Sequence, residues 1–358
     1  MHPSKPKRQP LTPEVRAELA ADTARLEACF EHARAHACGD VEGLFGPGSM
    51  MWRVFRESIS FSAGIEALLL QIALPAVGAG VAQNSNFRSD VIGRARRTFA
   101  SLAAWVFGDL PTALTMSFKI HKLHARVRGT IPADISPRLA GTPYRANDPP
   151  LLFWVHATII DGSARAYERF VEPLSRVELE RYHREANLLA IVMGVPPDQV
   201  PPTWADFQAY MQCMLHGDAL DVGPTTREIA HTLFNNSLTR GPLDEALTIG
   251  LLPEHLRAAF DLPWGPTWQR ASDALFASLR VGRQVLPDLL RYLPGYHQAR
   301  LRVALAEGKP LPWDSRLINR IDHVVDLPLS LKPLPIPDIV EESTSAADVR
   351  ERISSSNA

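Results

Sequence analysis

The apolar positions of this chain recur mostly at helical spacing. Thr12-Pro13-Glu14 opens the first helix, with Thr as the cap and Pro in the first turn. Leu19, Ala20, Leu26 and Phe30 carry it towards Ala37, and Gly39 stops it. After a Gly-rich break from Gly43 to Ser49, the pattern stays helical from Met50 to about Arg302, punctuated by Gly, Pro and Asn-Asp-Pro. Ala63 to Ala82 reads as one apolar core helix, and Asp90 to Phe107 as a periodic one with Arg94, Arg96 and Arg97 on a basic face. Thr112 to Arg128 reads as a long helix ending at Gly129, followed by a Pro- and Gly-rich loop or small hairpin to Pro143. Asp148-Pro149-Pro150 opens Leu151 to Phe170. Ser175 and Glu178 have the spacing of a capping box, and Gly194 ends that helix. Thr203 caps Trp204 to His216, and further helices read from Thr225 to Leu233 and from Thr267 to Leu286.

No alternating run with β-branched enrichment stands out, so the fold class is all-α, a multi-helix single domain. Residues 1–44 form an N-terminal arm and helix, and 45–308 the main domain. Six prolines between Pro310 and Pro337, followed by a Ser-rich end, make 309–358 a Pro-rich extended arm and disordered tail.

Composition narrows the partners. With 358 residues and 46% hydrophobic side chains, the chain can bury a large core. A net charge of −1 and no basic stripe argue against nucleic acid. Three scattered cysteines give no disulfide framework, and the basic N-terminus has no apolar segment behind it, so a cytoplasmic location is expected. Ala63 to Ala82 contains Glu66, Gln71 and Pro75, which fits a core helix and no transmembrane segment. Oligomeric state is not readable.

Chemistry concentrates on histidines. His156 stands inside an apolar helix between Phe153, Trp154, Val155 and Ile159. A buried imidazole must be hydrogen-bonded or bound to something, so it is either a satisfied core histidine or a ligand. His121, His124 and Arg128 are spaced i, i+3, i+7, either as a donor-bearing face or as cations suited to a helix C-terminus. Glu180-x-x-His183 and Glu228-x-x-His231 have the spacing of di-iron ligands. Cys29, His32, His36 and Cys38 offer zinc-type donors in no familiar finger spacing.

A longer series is more specific. It runs through Trp52-Arg53-Val54 with Glu57, Ala67-Leu68-Leu69-Leu70-Gln71 with Pro75, Val81 to Phe87, Arg94 and Arg97-Thr98, and Val106-Phe107-Gly108. It continues with His124-Ala125-Arg126-Val127-Arg128-Gly129, Tyr144, Asp148-Pro149, Trp154-Val155-His156-Ala157-Thr158, Tyr167 with Phe170, and Gly250-Leu251-Leu252-Pro253. In order and spacing, from about residue 45 to about residue 303, the chain resembles the MpaB / latex-clearing-protein oxygenase family.

That resemblance implies a globin-like core around haem b, with His156 as the proximal iron ligand. It implies a haem-dependent oxygenase that uses O2 on a small apolar substrate of isoprenoid or lipid-like kind; the family precedents cleave carbon–carbon double bonds in polyisoprene or a farnesyl chain. His124 and Arg128 then become the catalytic candidates on the distal side, where His124 steadies oxygen or moves a proton. His121, Arg94 and Arg97 become cofactor-binding candidates, the arginines as partners of the propionates. The chain departs from its relatives at His124, where the latex-clearing members carry Lys and Thr in the comparable helix. It departs again at Asn84, where a His is common. A non-enzymatic haem carrier or sensor is the competing expectation, because binding needs the axial ligand as much as catalysis does.

Overall fold

The computed structural model describes residues 12–59, 63–84, 91–235, 242–325 and 330–331. The expected N-terminal arm before Thr12 and the Ser-rich end lie outside them. Sixteen α-helices, one short 3-10 helix (Pro197–Gln199) and one two-stranded sheet make up the regular structure of the described residues, an all-α fold.

Local sequence signals account for most helix starts. Helix α1 (Pro13–His36) is capped by Thr12, whose hydroxyl accepts from the Val15 N–H. Helix α2 (Met50–Phe55) is capped by Ser49. Asp109 accepts from the Thr112 N–H at 2.8 Å to start α6 (Leu110–His124). The full capping box of Ser175 and Glu178 starts α8 (Arg176–Val192). That helix stops at Gly194, whose φ of +105° a side-chain-bearing residue rarely adopts.

Three expectations are corrected. The apolar run from Ala63 is two helices, α3 (Ala63–Ala73) and α4 (Pro75–Asn84), bent by 102°. Pro75 has no N–H to continue the ladder, and its ring crowds the preceding turn. Gly78 lets the bend close, since a Cβ there would stand 2.7 Å from the Ile72 carbonyl. Secondly, α6 ends at His124, and Arg128 begins strand β1 (Arg128–Thr130), paired antiparallel with β2 (Pro143–Arg145) in the register Gly129↔Tyr144. Val127, Thr130 and Ile131 favour extended backbone, and the hairpin buries Tyr144 and Ile131 in a small apolar cluster with Ala79. Thirdly, the expected arm after Gly308 contains α16 (Trp313–Val325). This helix fits between Pro312 and Pro328 and turns Ser315, Ile318, Asn319 and Asp322 inward, where Gln298 donates to Asp322 at 2.8 Å.

Helix α7 (Pro149–Phe170) is the centre of the core, with 14 of its 22 residues buried. It packs on α2, α3, α8 and α13 (Pro266–Val285). Each large apolar side chain buried there contributes about 1.5–3 kcal/mol. Helix α5 (Val91–Phe107) lies against α2, where the Trp52 indole donates to the Val106 carbonyl at 2.8 Å and meets Phe107 edge to face. Helices α9 (Trp204–His216), α10 (Pro224–Asn235), α11 (Pro242–Leu251), α12 (Glu254–Ala259), α14 (Asp288–Arg291) and α15 (Pro294–Glu307) complete the shell. Among the described residues, no single helix is long and apolar enough to cross a membrane.

Candidate functional site

His156 sits in the second turn of α7 and is 1% exposed. Asp148 at the cap and Pro149 in the first turn fix where the helix begins, and so which face His156 shares with Phe153 and Ile160. The Phe153 ring lies 5.7 Å from the imidazole and is itself met edge-on by Tyr210 of α9 at 4.9 Å. The His156 Nδ1 is sealed from solvent and has no hydrogen-bond partner among the described residues. Burial pushes the imidazole down to about 3, with the nearby His183 as a second cause, so the ring is neutral at physiological pH. A neutral imidazole with an unused nitrogen in apolar surroundings is a donor set suited to a haem iron.

His183 is the instructive contrast. It is as buried as His156, and its Nδ1 is likewise sealed without a partner among the described residues, but its Nε2–H donates to the Pro201 carbonyl at 2.9 Å, and Phe207 and Trp204 pack against its ring. Glu180 accepts from the Trp204 N–H at 3.0 Å, so both members of this Glu-x-x-His pair hold the start of α9. His231 of the second pair is exposed on α10. The zinc-type donors do not assemble either. Cys29 faces the Val195 carbonyl, His32 stacks on His36, and Cys38 is exposed. No cluster of three or more His, Cys, Asp or Glu among the described residues is arranged to hold a metal ion.

The α6 candidates separate. His124, in the last turn, is half-buried, with its Nδ1 sealed and unpartnered among the described residues. Burial, aided by His121, pushes it down to about 4. His121 is buried near Asp22 and Arg25 of α1, and its carbonyl accepts from Asn147 at 3.1 Å. Arg128 leaves the expected helical face: on β1 it donates to Glu18 of α1 at 3.0 Å. Arg97 is exposed on α5, and the Arg94 side chain lies outside the described residues. Asn84 donates to the Tyr144 hydroxyl at 3.3 Å, and that hydroxyl donates to Gln83 at 2.7 Å. The Asn84 departure therefore fastens the end of α4 to the hairpin.

A family model described as ER-bound oxygenase mpaB/B'/rubber oxygenase, catalytic domain, matches residues 52–281. The chain belongs to this oxygenase family. The matched span begins on α2 and closes within α13, so it contains His121, His124, Arg128 and His156 and leaves out α1 and α14 to α16. No curated protein and no solved structure matches the chain.

The oxygenase domain holds one buried charge network that sequence reasoning did not single out. Arg165 on α7 bridges Glu66 of α3 at 2.6 Å and Asp161 at 2.7 Å, and Gln208 of α9 donates to Asp161 at 3.1 Å. Glu66 is fully buried, its Oε2 has no partner among the described residues, and burial pushes its carboxyl up to about 7 against the pull of Arg165. The signal was present, since a carboxylate inside an apolar run demands a buried cation. Which cation answers it is decided by the crossing of α3 and α7.

Proposed function

We propose that this oxygenase domain binds haem b through His156 and directs O2 at an apolar substrate of isoprenoid or other lipid-like class. The observation that carries the reading is the buried, neutral imidazole of His156, its Nδ1 sealed and unpartnered among the described residues, on a helix with 14 of its 22 residues buried in an oxygenase domain. When bound, the haem would supply an iron centre able to take up O2, with His156 as the residue that would hold it. The protein's own part begins with orientation. Phe153 supports the imidazole from one side. Gln71 donates to Thr158 at 3.0 Å and fixes the next turn of α7 against α3. The surrounding Ala, Leu, Ile, Phe and Trp side chains exclude water and supply an apolar wall.

His124 is the second functional group in this reading. Kept neutral by burial, it can donate from one ring nitrogen and accept at the other, which is what holding or passing a proton requires. Arg128 acts by position: its bond to Glu18 ties the hairpin that follows His124 to α1. Arg94 and Arg97, at the start of α5, are the proposed propionate partners, and His121 supports His124 from the preceding turn. The deciding experiment is an optical spectrum of the purified protein with pyridine haemochrome quantitation. A Soret band with about one haem b per chain is expected; protein that takes up no haem, even when supplied with hemin, overturns the proposal.

A further inference from the structure

A cavity of about 210 Å³ opens between α2, α8 and α15, lined by Arg53, Arg56, Arg181, Trp52, Tyr296 and the segment Pro47–Met50. Two of its three guanidinium groups are neutralised. Arg53 pairs with Glu172 at 2.7 Å and with Glu178. Arg181 pairs with Glu185 at 3.0 Å and donates to the Gly48 carbonyl at 2.6 Å. Arg56 is different: among the described residues no carboxylate lies within ion-pair distance of it. The adjacent Glu57 is engaged by both edges of Arg283, at 2.8 and 2.6 Å.

Arg56 is nevertheless held in place. Its guanidinium lies over the Tyr292 ring at 4.6 Å, with Nη1 3.4 Å from the Tyr296 hydroxyl. Its Nε–H is sealed from solvent without an acceptor among the described residues. Leaving such a donor unmet is unfavourable. Arg56 lines the cavity, and an oxyanion there would give its guanidinium the anionic partner it lacks among the described residues. The volume equals that of about seven waters, enough for a phosphate-sized group. Three guanidinium groups brought in from α2 and α8 suit a tetrahedral oxyanion with three free oxygens better than a planar carboxylate.

We propose that this cavity is a binding site for a phosphate-type oxyanion, taken either free or as the head of a larger ligand. The test is calorimetric titration of the full-length protein with inorganic phosphate, acetate and hexyl phosphate at constant ionic strength set by potassium chloride, with thermal unfolding in parallel. Phosphate is expected to bind one per chain and raise the Tm, and Arg56→Gln to weaken binding at least tenfold and abolish the Tm rise. Should Arg56→Gln fail to fold, Arg181→Gln, at the exposed rim, is expected to weaken phosphate at least threefold. Hexyl phosphate binding more tightly than phosphate identifies the head group of an apolar ligand; equal affinity identifies the free anion. No phosphate binding in the wild-type protein, acetate binding as well as phosphate, or affinity unchanged in the folded variants overturns the proposal.

Discussion

The indole N–H of Trp154 donates to the main-chain carbonyl of Leu70 across 3.1 Å, joining α7 to the last turn of α3. Helix carbonyls in a last turn lack their usual partners, and here the break at Pro75 creates that last turn. Two residues before His156 this indole bond ties α7 to α3; two residues after it, Gln71 does the same through Thr158. Trp154→Phe removes the donor and part of a fully buried side chain, and should cost about 2–3 kcal/mol. Urea unfolding measures this, and an unchanged midpoint would show that the indole bond contributes nothing.

His156→Ala should abolish haem binding while leaving helical circular dichroism close to wild type, because an Ala is tolerated in α7 and the lost group is the proposed iron ligand. Haem retained at full stoichiometry would remove His156 as the ligand. The same residue gives the haem-free protein an acid sensitivity. Its folded value is about 3 against an ordinary 6.5, so the unfolded chain takes up a proton first. Stability is full above about pH 6.5 and falls as the pH drops towards 3, by on the order of a few kcal/mol. His156→Ala should flatten that slope, as read from urea midpoints between pH 7 and 4.

His124→Ala should keep both fold and haem but slow oxygen turnover, by a factor of about 10²–10⁴ if it handles a proton. His124→Gln, which keeps a donor but does not titrate, should restore part of the rate and remove the pH dependence. Oxygen consumption equal to wild type in both variants would take His124 out of the mechanism.

How much of this was legible from sequence varies with the range of the interaction. The caps at Thr12, Ser175 and Thr203, the start of α7 at Asp148-Pro149 and the burial of His156 are all local consequences, set within one or two helical turns. The position of Arg128 was misread because a periodic pattern was extended through Val127-Arg128-Gly129, whereas pairing with Pro143-Tyr144-Arg145 wins there. The α3–α4 bend was under-read although Pro75 signalled it. Helix α16 was hidden by the prolines that delimit it. Partner choice was not legible at all. Nothing local says that Glu66 meets Arg165, that Asn84 meets Tyr144, or that Arg56 meets no carboxylate among the described residues.

Arg165→Met tests the buried network. It strands Glu66 and Asp161, and should cost about 3 kcal/mol, at the lower end for breaking a buried pair because the guanidinium keeps an exposed edge. The loss should depend on pH. Burial already raises the Glu66 carboxyl to about 7, and removing Arg165 raises it further. A carboxyl raised in the folded state adds stability below its ordinary 4.5, and that contribution is lost as pH rises through the folded value. The variant should therefore be closest to wild type near pH 5 and weakest near pH 8. Equal destabilisation at both values would show that Glu66 is not the group left stranded.

Arg302 offers the sharpest test of how the C-terminal helices, outside the matched oxygenase span, hold onto it. The side chain is 6% exposed on α15, and it donates to the Val41 carbonyl at 2.9 Å and to the Phe107 carbonyl at 2.7 Å. Phe107 ends α5, where a cation also complements the negative end of the helix dipole. Burial lowers the guanidinium to about 10, still fully charged at neutral pH. Arg302→Met keeps an apolar stem of similar length but strands both carbonyls, at a cost of about 2–4 kcal/mol. Arg302→Lys can reach one carbonyl but not fork to both, so it should fall between the two. Because Val41 lies in the segment that leads into α2, the Met variant should also be cleaved faster between Gly39 and Gly48 by a protease under native conditions. Faster cleavage there, with α7 still protected in hydrogen exchange, would place the effect at this junction. Cleavage spread evenly along the chain would instead mean that Arg302 serves global stability alone.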